Sequence, residues 1–223
     1  MATLHLIQSD SRVTSGYFGD LLHSRPEKKK TYRLFEEMPL PQLQEKDALI
    51  VLGGYMGVHD QQQYPYLADL LTVLRESAEK GTPLLGICLG GQLLAHALGG
   101  DVSAKTRGEK GLVEIRLTPQ GEADPLFSDI DSGFLAFQWH NDSFTPPANA
   151  DLLASSRDCP GQAFRYKNAW GLQFHPEVDA DLVQRWSEPV DPDGTTYLTP
   201  FRAAQQEHYS MAKQLFENFL AQL

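Results

Sequence analysis

The segment Gly86-Ile87-Cys88-Leu89-Gly90 holds the side chain best suited to chemistry. A cysteine between two glycines, at the junction of an apolar strand and a helix, has the pattern of a nucleophile elbow. The nucleophile of such a turn sits on strained backbone, and the glycines let neighbouring chain pass where a Cβ would collide. The following helix would begin at Leu89 and direct its positive end at the sulfur, which favours thiolate. A buried structural cysteine in a glycine-rich corner would leave the same local trace.

A thiol nucleophile requires a base. Among the seven histidines, His175 stands apart because it lies in Phe174-His175-Pro176-Glu177, just after the apolar Gly171-Leu172-Gln173. The proline biases His175 toward extended backbone, and extended backbone turns positions i and i+2 to one side. Glu177 is thus able to orient one ring nitrogen while the other faces Cys88, the arrangement of nucleophile, base and orienting acid. Gly53-Gly54 ends another apolar run, Asp47 to Leu52. In a parallel sheet it would share a rim with Cys88, so that backbone amides there and at Leu89 could hold an oxyanion.

These groups need elements to carry them. Apolar runs predict strands at Thr3 to Gln8, Tyr32 to Phe35, Asp47 to Leu52 and Pro83 to Ile87. Leu67, Leu70, Leu71 and Leu74 recur at helical spacing, which predicts a helix opened by Pro65 and stopped at Gly81. A second helix is expected from Leu89 to Leu98, closed by Gly99-Gly100. The second half contains short strand candidates at Leu112 to Leu117, Phe134 to Trp139, Leu152 to Ser155, Ala163 to Tyr166 and Gly171 to Phe174. A terminal helix is expected from about Pro200. Asp191 to Tyr197 reads as a turn-rich insertion. The alternation of strand and helix predicts an α/β fold, an open and mostly parallel sheet with helices on both faces, in one domain over residues 1–223.

The 223 residues carry a formal charge of −10. Nucleic-acid binding wants a basic surface, so that class is disfavoured. The basic run Lys28 to Lys30 is expected to be a solvated loop. Two cysteines cannot build a disulfide framework or a cysteine-rich zinc site, and no histidine pair has metal spacing. No membrane span is expected, because the longest apolar stretch is interrupted by Gln92, His96 and several glycines. Without a basic, apolar leader a cytoplasmic location is expected.

GGYMG (Gly53 to Gly57), GICLGGQ (Gly86 to Gln92) and QFHPEV (Gln173 to Val178) together resemble the class I glutamine amidotransferases. The similarity extends over roughly Ala48 to Val178. It is greatest to the amidotransferase domain of GMP synthase and free-standing relatives. The resemblance implies a flavodoxin-like fold, with Cys88 as nucleophile, His175 as base, Glu177 as orienting acid, and the amides of Gly54 and Leu89 as oxyanion hole. It implies that Gln92, and the strip His140, Asn141 and Asp142, bind the substrate, glutamine or another γ-glutamyl compound. No metal or cofactor is implied. Two activities remain open: a glutaminase feeding ammonia to a separate synthase subunit, and an independent hydrolase of γ-glutamyl conjugates. A cysteine-bearing α/β-hydrolase fits less well, because there the acid precedes the histidine. A silent binding protein fits poorly with a complete Cys88, His175 and Glu177 set. Tyr55 stands where many relatives have proline, and Leu89 where GMP synthase usually has tyrosine. The Ser-Gly-Gly-x-Asp-Ser nucleotide loop of GMP synthase is missing, so this chain is not expected to make GMP alone.

Overall fold

The computed structural model of the protein describes residues 2–104 and 107–223. The chain opens with β1 (Thr3–Gln8), α1 (Gly16–His23), β2 (Lys28–Arg33), β3 (Ala48–Val51), α2 (Tyr66–Lys80), β4 (Leu84–Ile87) and α3 (Leu89–Ala97). It continues with β5 (Asp101–Ser103), β6 (Glu109–Leu117), α4 (Pro119–Glu122), β7 (Gly133–His140) and β8 (Ser143–Thr145). It ends with β9 (Asp151–Ser155), β10 (Ala163–Tyr166), β11 (Ala169–Leu172), α5 (Ala180–Ser187) and α6 (Leu198–Leu220).

Nine strands form one open sheet in the order β2-β1-β3-β4-β11-β10-β9-β6-β7. Neighbours from β2 to β11 run parallel, and from β11 to β7 antiparallel. β5 and β8 pair separately. Strand side chains alternate between the two faces. Leu4, Leu6, Ile50, Leu85 and Ile87 pack on one face with Phe18, Leu182 and Phe216 from α1, α5 and α6. Ile7, Leu49, Val51 and Leu84 pack on the other with Leu67, Leu70, Leu93 and Leu94 from α2 and α3. The fold is therefore α/β with helices on both faces, as expected. Every side chain of β3 is buried, which explains why its sequence is a continuous apolar run.

α2 ends where Gly81 adopts φ +76° and returns its N–H to Ala78 and Ser77. On α6, Leu215, Phe216 and Phe219 are fully buried. Phe216 packs on Phe18, and Phe219 meets Trp170 edge-on. Between α5 and α6, the Asp191 carboxylate accepts the backbone N–H groups of Thr196 and Tyr197, both at 3.0 Å.

Three local expectations need correction. Lys28 to Lys30 belong not to a loop but to β2, an edge strand whose lone buried residue is Tyr32. Lysines suit such an edge because their charge discourages pairing with another chain. The strand expected at Tyr32 to Phe35 ends at Arg33, and a 3₁₀ turn occupies Leu34–Glu36. β11 stops at Leu172, short of the expected Phe174. Helices α1 and α5 were invisible as patterns, being only eight residues each.

Candidate active site

Cys88 lies between β4 and α3 with φ 50° and ψ −106°, outside the ordinary wells of an L-residue. The flanking glycines permit this turn. A Cβ on Gly86 would come within 2.5 Å of the Gly90 carbonyl oxygen, and one on Gly90 would collide with the Val51 carbonyl oxygen. The Cys88 N–H donates to the Leu172 carbonyl at 2.8 Å, tying the turn to the end of β11. Cys88 is 6% exposed and lines a cavity of about 480 Å³.

β11 lies beside β4 in parallel register, Leu172 opposite Ile87. The chain leaving β11 therefore runs past the elbow. The His175 N–H donates to the Phe137 carbonyl at 2.8 Å, which fixes the backbone there. Nδ1 of His175 lies 2.7 Å from Oε1 of Glu177, and both side chains are buried. An ionised carboxylate only accepts, so Nδ1 carries the proton. Among the described residues Nε2 has no conventional hydrogen-bond partner. His175 Cε1 and Cys88 Cβ converge on Gly53, at 3.2 and 3.6 Å from where its Cβ would stand. Burial disfavours the charged imidazole, but the negative groups of Glu177 and Cys88 outweigh it and hold His175 well above its ordinary pKa. The Trp186 ring meets His175 edge-on at 4.8 Å and donates its Nε1–H to the Arg12 carbonyl at 3.0 Å.

Gly54, Gln92, His140, Asn141 and Asp142 line the same cavity. Gly54 abuts Leu89, whose Cδ2 is 2.7 Å from the position of a Gly54 Cβ. The Gln92 amide donates to the Asp142 carbonyl at 3.0 Å and to Gln173 Oε1 at 3.3 Å. Gln173 in turn directs its Nε2 toward Cys88 Sγ at 3.7 Å. Asn141 is exposed, and His140 is buried with Nδ1 2.9 Å from the Asp142 carbonyl. Of the groups singled out from sequence, Gly54, Cys88, Gln92, His140, Asn141, Asp142 and His175 line this cavity, whereas Leu89 and Glu177 lie behind its wall.

The family model for glutamine amidotransferase class-I matches residues 25–183. The chain belongs to the class I glutamine amidotransferases. The glutamine amidotransferase-like protein YfeJ of Salmonella typhimurium is 28% identical over 84% of this amidotransferase and 82% of its own length. A glutamine-hydrolysing GMP synthase subunit of Sulfurisphaera tokodaii is 36% identical over 64% of the chain and 73% of its own length. The GMP synthase of Ruminiclostridium cellulolyticum is 41% identical over 45% of the chain, which spans only 20% of that larger protein. A Thermotoga maritima glutamine amidotransferase superposes with a TM-score of 0.87 at 26% identity, covering 98% of this chain and 97% of its own.

The structure adds Trp186, Lys110 and Asp60, which sequence reasoning missed, to the cavity lining of this amidotransferase. Tyr55, noted in the sequence for its departure from proline, and Trp139, which precedes the His140 strip, line it as well. Trp186 comes from α5, which left no clear pattern, and so gave no signal. Gln173 was available as the first residue of QFHPEV. Tyr55 is 46% exposed beneath the Arg12 guanidinium, 3.8 Å from the ring centre, while Arg12 is gripped by Asp10 at 2.7 Å. Leu89 is buried in the apolar layer under α2. Among the described residues no helix is long and apolar enough to cross a membrane.

Proposed function

We propose that this amidotransferase hydrolyses the γ-amide of glutamine through a γ-glutamyl thioester on Cys88. The observation that carries this reading is the convergence of Cys88 and His175 on Gly53, with Glu177 holding the far nitrogen of His175. Nε2 of His175 takes the thiol proton, and the sulfur attacks the γ-carbonyl carbon. The tetrahedral oxyanion is received by the amides of Gly54 and Leu89. Collapse breaks the carbon–nitrogen bond, and the imidazolium gives its proton to the departing ammonia. Water then attacks the thioester with His175 as base, which releases glutamate and the Cys88 thiol. Glu177 keeps Nδ1 protonated throughout and steadies the imidazolium. Gln92, His140, Asn141 and Asp142 bind the amino-acid end of the substrate.

In the first reading, ammonia goes to a separate synthase subunit, since two relatives are themselves glutamine-hydrolysing subunits of GMP synthase. A second reading is an independent γ-glutamyl amide hydrolase. It is favoured by the aromatic lining of the cavity, where Tyr55 and Trp139 join the residues named above. Glutamate release from glutamine and from a panel of γ-glutamyl peptides and amines, with Cys88→Ala as blank, separates the two. Fast release from a conjugate and slow release from glutamine supports the hydrolase. Slow release from every compound, restored by a synthase, supports the synthase-coupled reading. Release that persists in Cys88→Ala overturns the thioester scheme.

A further inference from the structure

Behind the wall of the cavity lies a second set of buried polar groups that the thioester scheme does not use. The register of β6 and β7 sets Glu109 directly opposite His140. Their side chains are 6% and 1% exposed, and Glu109 Oε2 stands 3.4 Å from His140 Nε2. The other nitrogen, Nδ1, faces the Asp142 carbonyl, which only accepts, so Nδ1 is the protonated atom. Nε2 is left facing the Glu109 carboxylate without a conventional hydrogen bond among the described residues, a contact that becomes an ion pair when this nitrogen is protonated as well.

Glu109 is itself firmly held. Oε1 accepts from Ser156 Oγ at 2.7 Å and Oε2 from Gln162 Nε2 at 2.6 Å. Cys159 completes the cluster, with donor atoms within 4.8 Å of one another. Burial pushes the Cys159 thiol up to about 11, and its sulfur lies against the Gly161 carbonyl. With both carboxylate oxygens taken and the thiol kept protonated, the cluster is organised as a hydrogen-bond network.

That network continues to the reacting centre. The Asp142 carbonyl that receives His140 also receives Gln92, and Gln92 holds Gln173 against Cys88. A buried carboxylate beside an imidazole fixes the ring's orientation, and the ring fixes whatever its other nitrogen touches. We infer that Glu109 is a positioning residue for recognition of the glutamine moiety: acting through His140, it fixes the Asp142 carbonyl and the Gln92–Gln173 amide pair at the cavity wall. This rests on the reading of the cavity as the glutamine site. Glu109 lines no part of that cavity, and its influence is on binding rather than on the nucleophile.

The test compares two labels for Cys88 on the whole protein. Iodoacetamide reports the thiol alone, and 6-diazo-5-oxo-L-norleucine, a glutamine analogue whose diazoketone replaces the γ-amide, reports the thiol plus the amino-acid pocket. In Glu109→Gln the analogue's KI should rise about tenfold, because the neutral amide no longer offers His140 Nε2 a negative partner, while the iodoacetamide rate is unchanged. The effect should not add to that of His140→Asn, because both act along one path. If Glu109→Gln fails to fold, Ser156→Ala keeps the carboxylate and loses one of its donors, and should raise KI by about threefold. An unchanged KI, an equal loss with both labels, or full additivity with His140→Asn overturns the inference. If the native protein itself prefers iodoacetamide to the analogue, the glutamine-site reading fails first, and this inference with it.

Discussion

His175 Nδ1 and Glu177 Oε1 stand 2.7 Å apart, both side chains buried, with Pro176 between the two residues. At that distance the carboxylate stabilises the protonated ring and dictates which nitrogen is left for the thiol. Glu177→Gln keeps the shape and removes the charge. Glutamate release should fall by ~10²–10⁴, as when the acid of a comparable triad is neutralised. The His175 titration midpoint, followed by NMR, should move down. A midpoint that stays high would deny Glu177 its role.

Cys88→Ala should abolish turnover while leaving stability close to native, because the thiol lies at the cavity edge and its loss opens little new space. Trapping labelled substrate and locating the adduct by mass spectrometry checks the same point. An adduct on Cys159 would move the nucleophile.

Gly90→Ala tests the elbow. The added methyl would run into the Val51 carbonyl oxygen, which β3 cannot withdraw without breaking its ladder. The expected loss is about 2 kcal/mol or more in urea unfolding. Gly99→Ala is the control for crowding: no atom lies within 4 Å of its Cβ position, leaving only the cost of φ +86°.

Acid should weaken the fold through His208. This ring on α6 is fully buried beside Pro176, and burial pulls it down to about 4 from an ordinary 6.5, the Pro176 carbonyl opposing and His175 reinforcing. Between those values the unfolded chain binds the proton and the folded one does not. The contribution is therefore complete above pH 6.5 and is lost as pH falls toward 4, by up to ~3 kcal/mol. His208→Leu should flatten the stability curve in that window. An unchanged slope from urea melts at stepped pH would show that His208 is not the proton acceptor.

The candidate site was legible in the sequence wherever it depends on short-range backbone geometry. Gly86 and Gly90 around Cys88 answer a steric need of one turn, and His175-Pro176-Glu177 is a dyad that the chain makes with itself. The buried run of β3 and the leucine stripe of α2 were legible because burial on two faces, or on one, prints a period. Long-range relations leave no such print. Nothing in KKKTYR says that β2 pairs with β1, since an edge strand needs only Tyr32 to be apolar. Trp186 reaches His175 only because α5 folds back over the sheet, and Glu109 meets His140 only because β6 and β7 pair in one register. The residue types and spacing therefore determined which groups could react. Only the packed sheet decided which groups surround them, because side-chain contacts between distant segments are set by strand order and register rather than by local sequence.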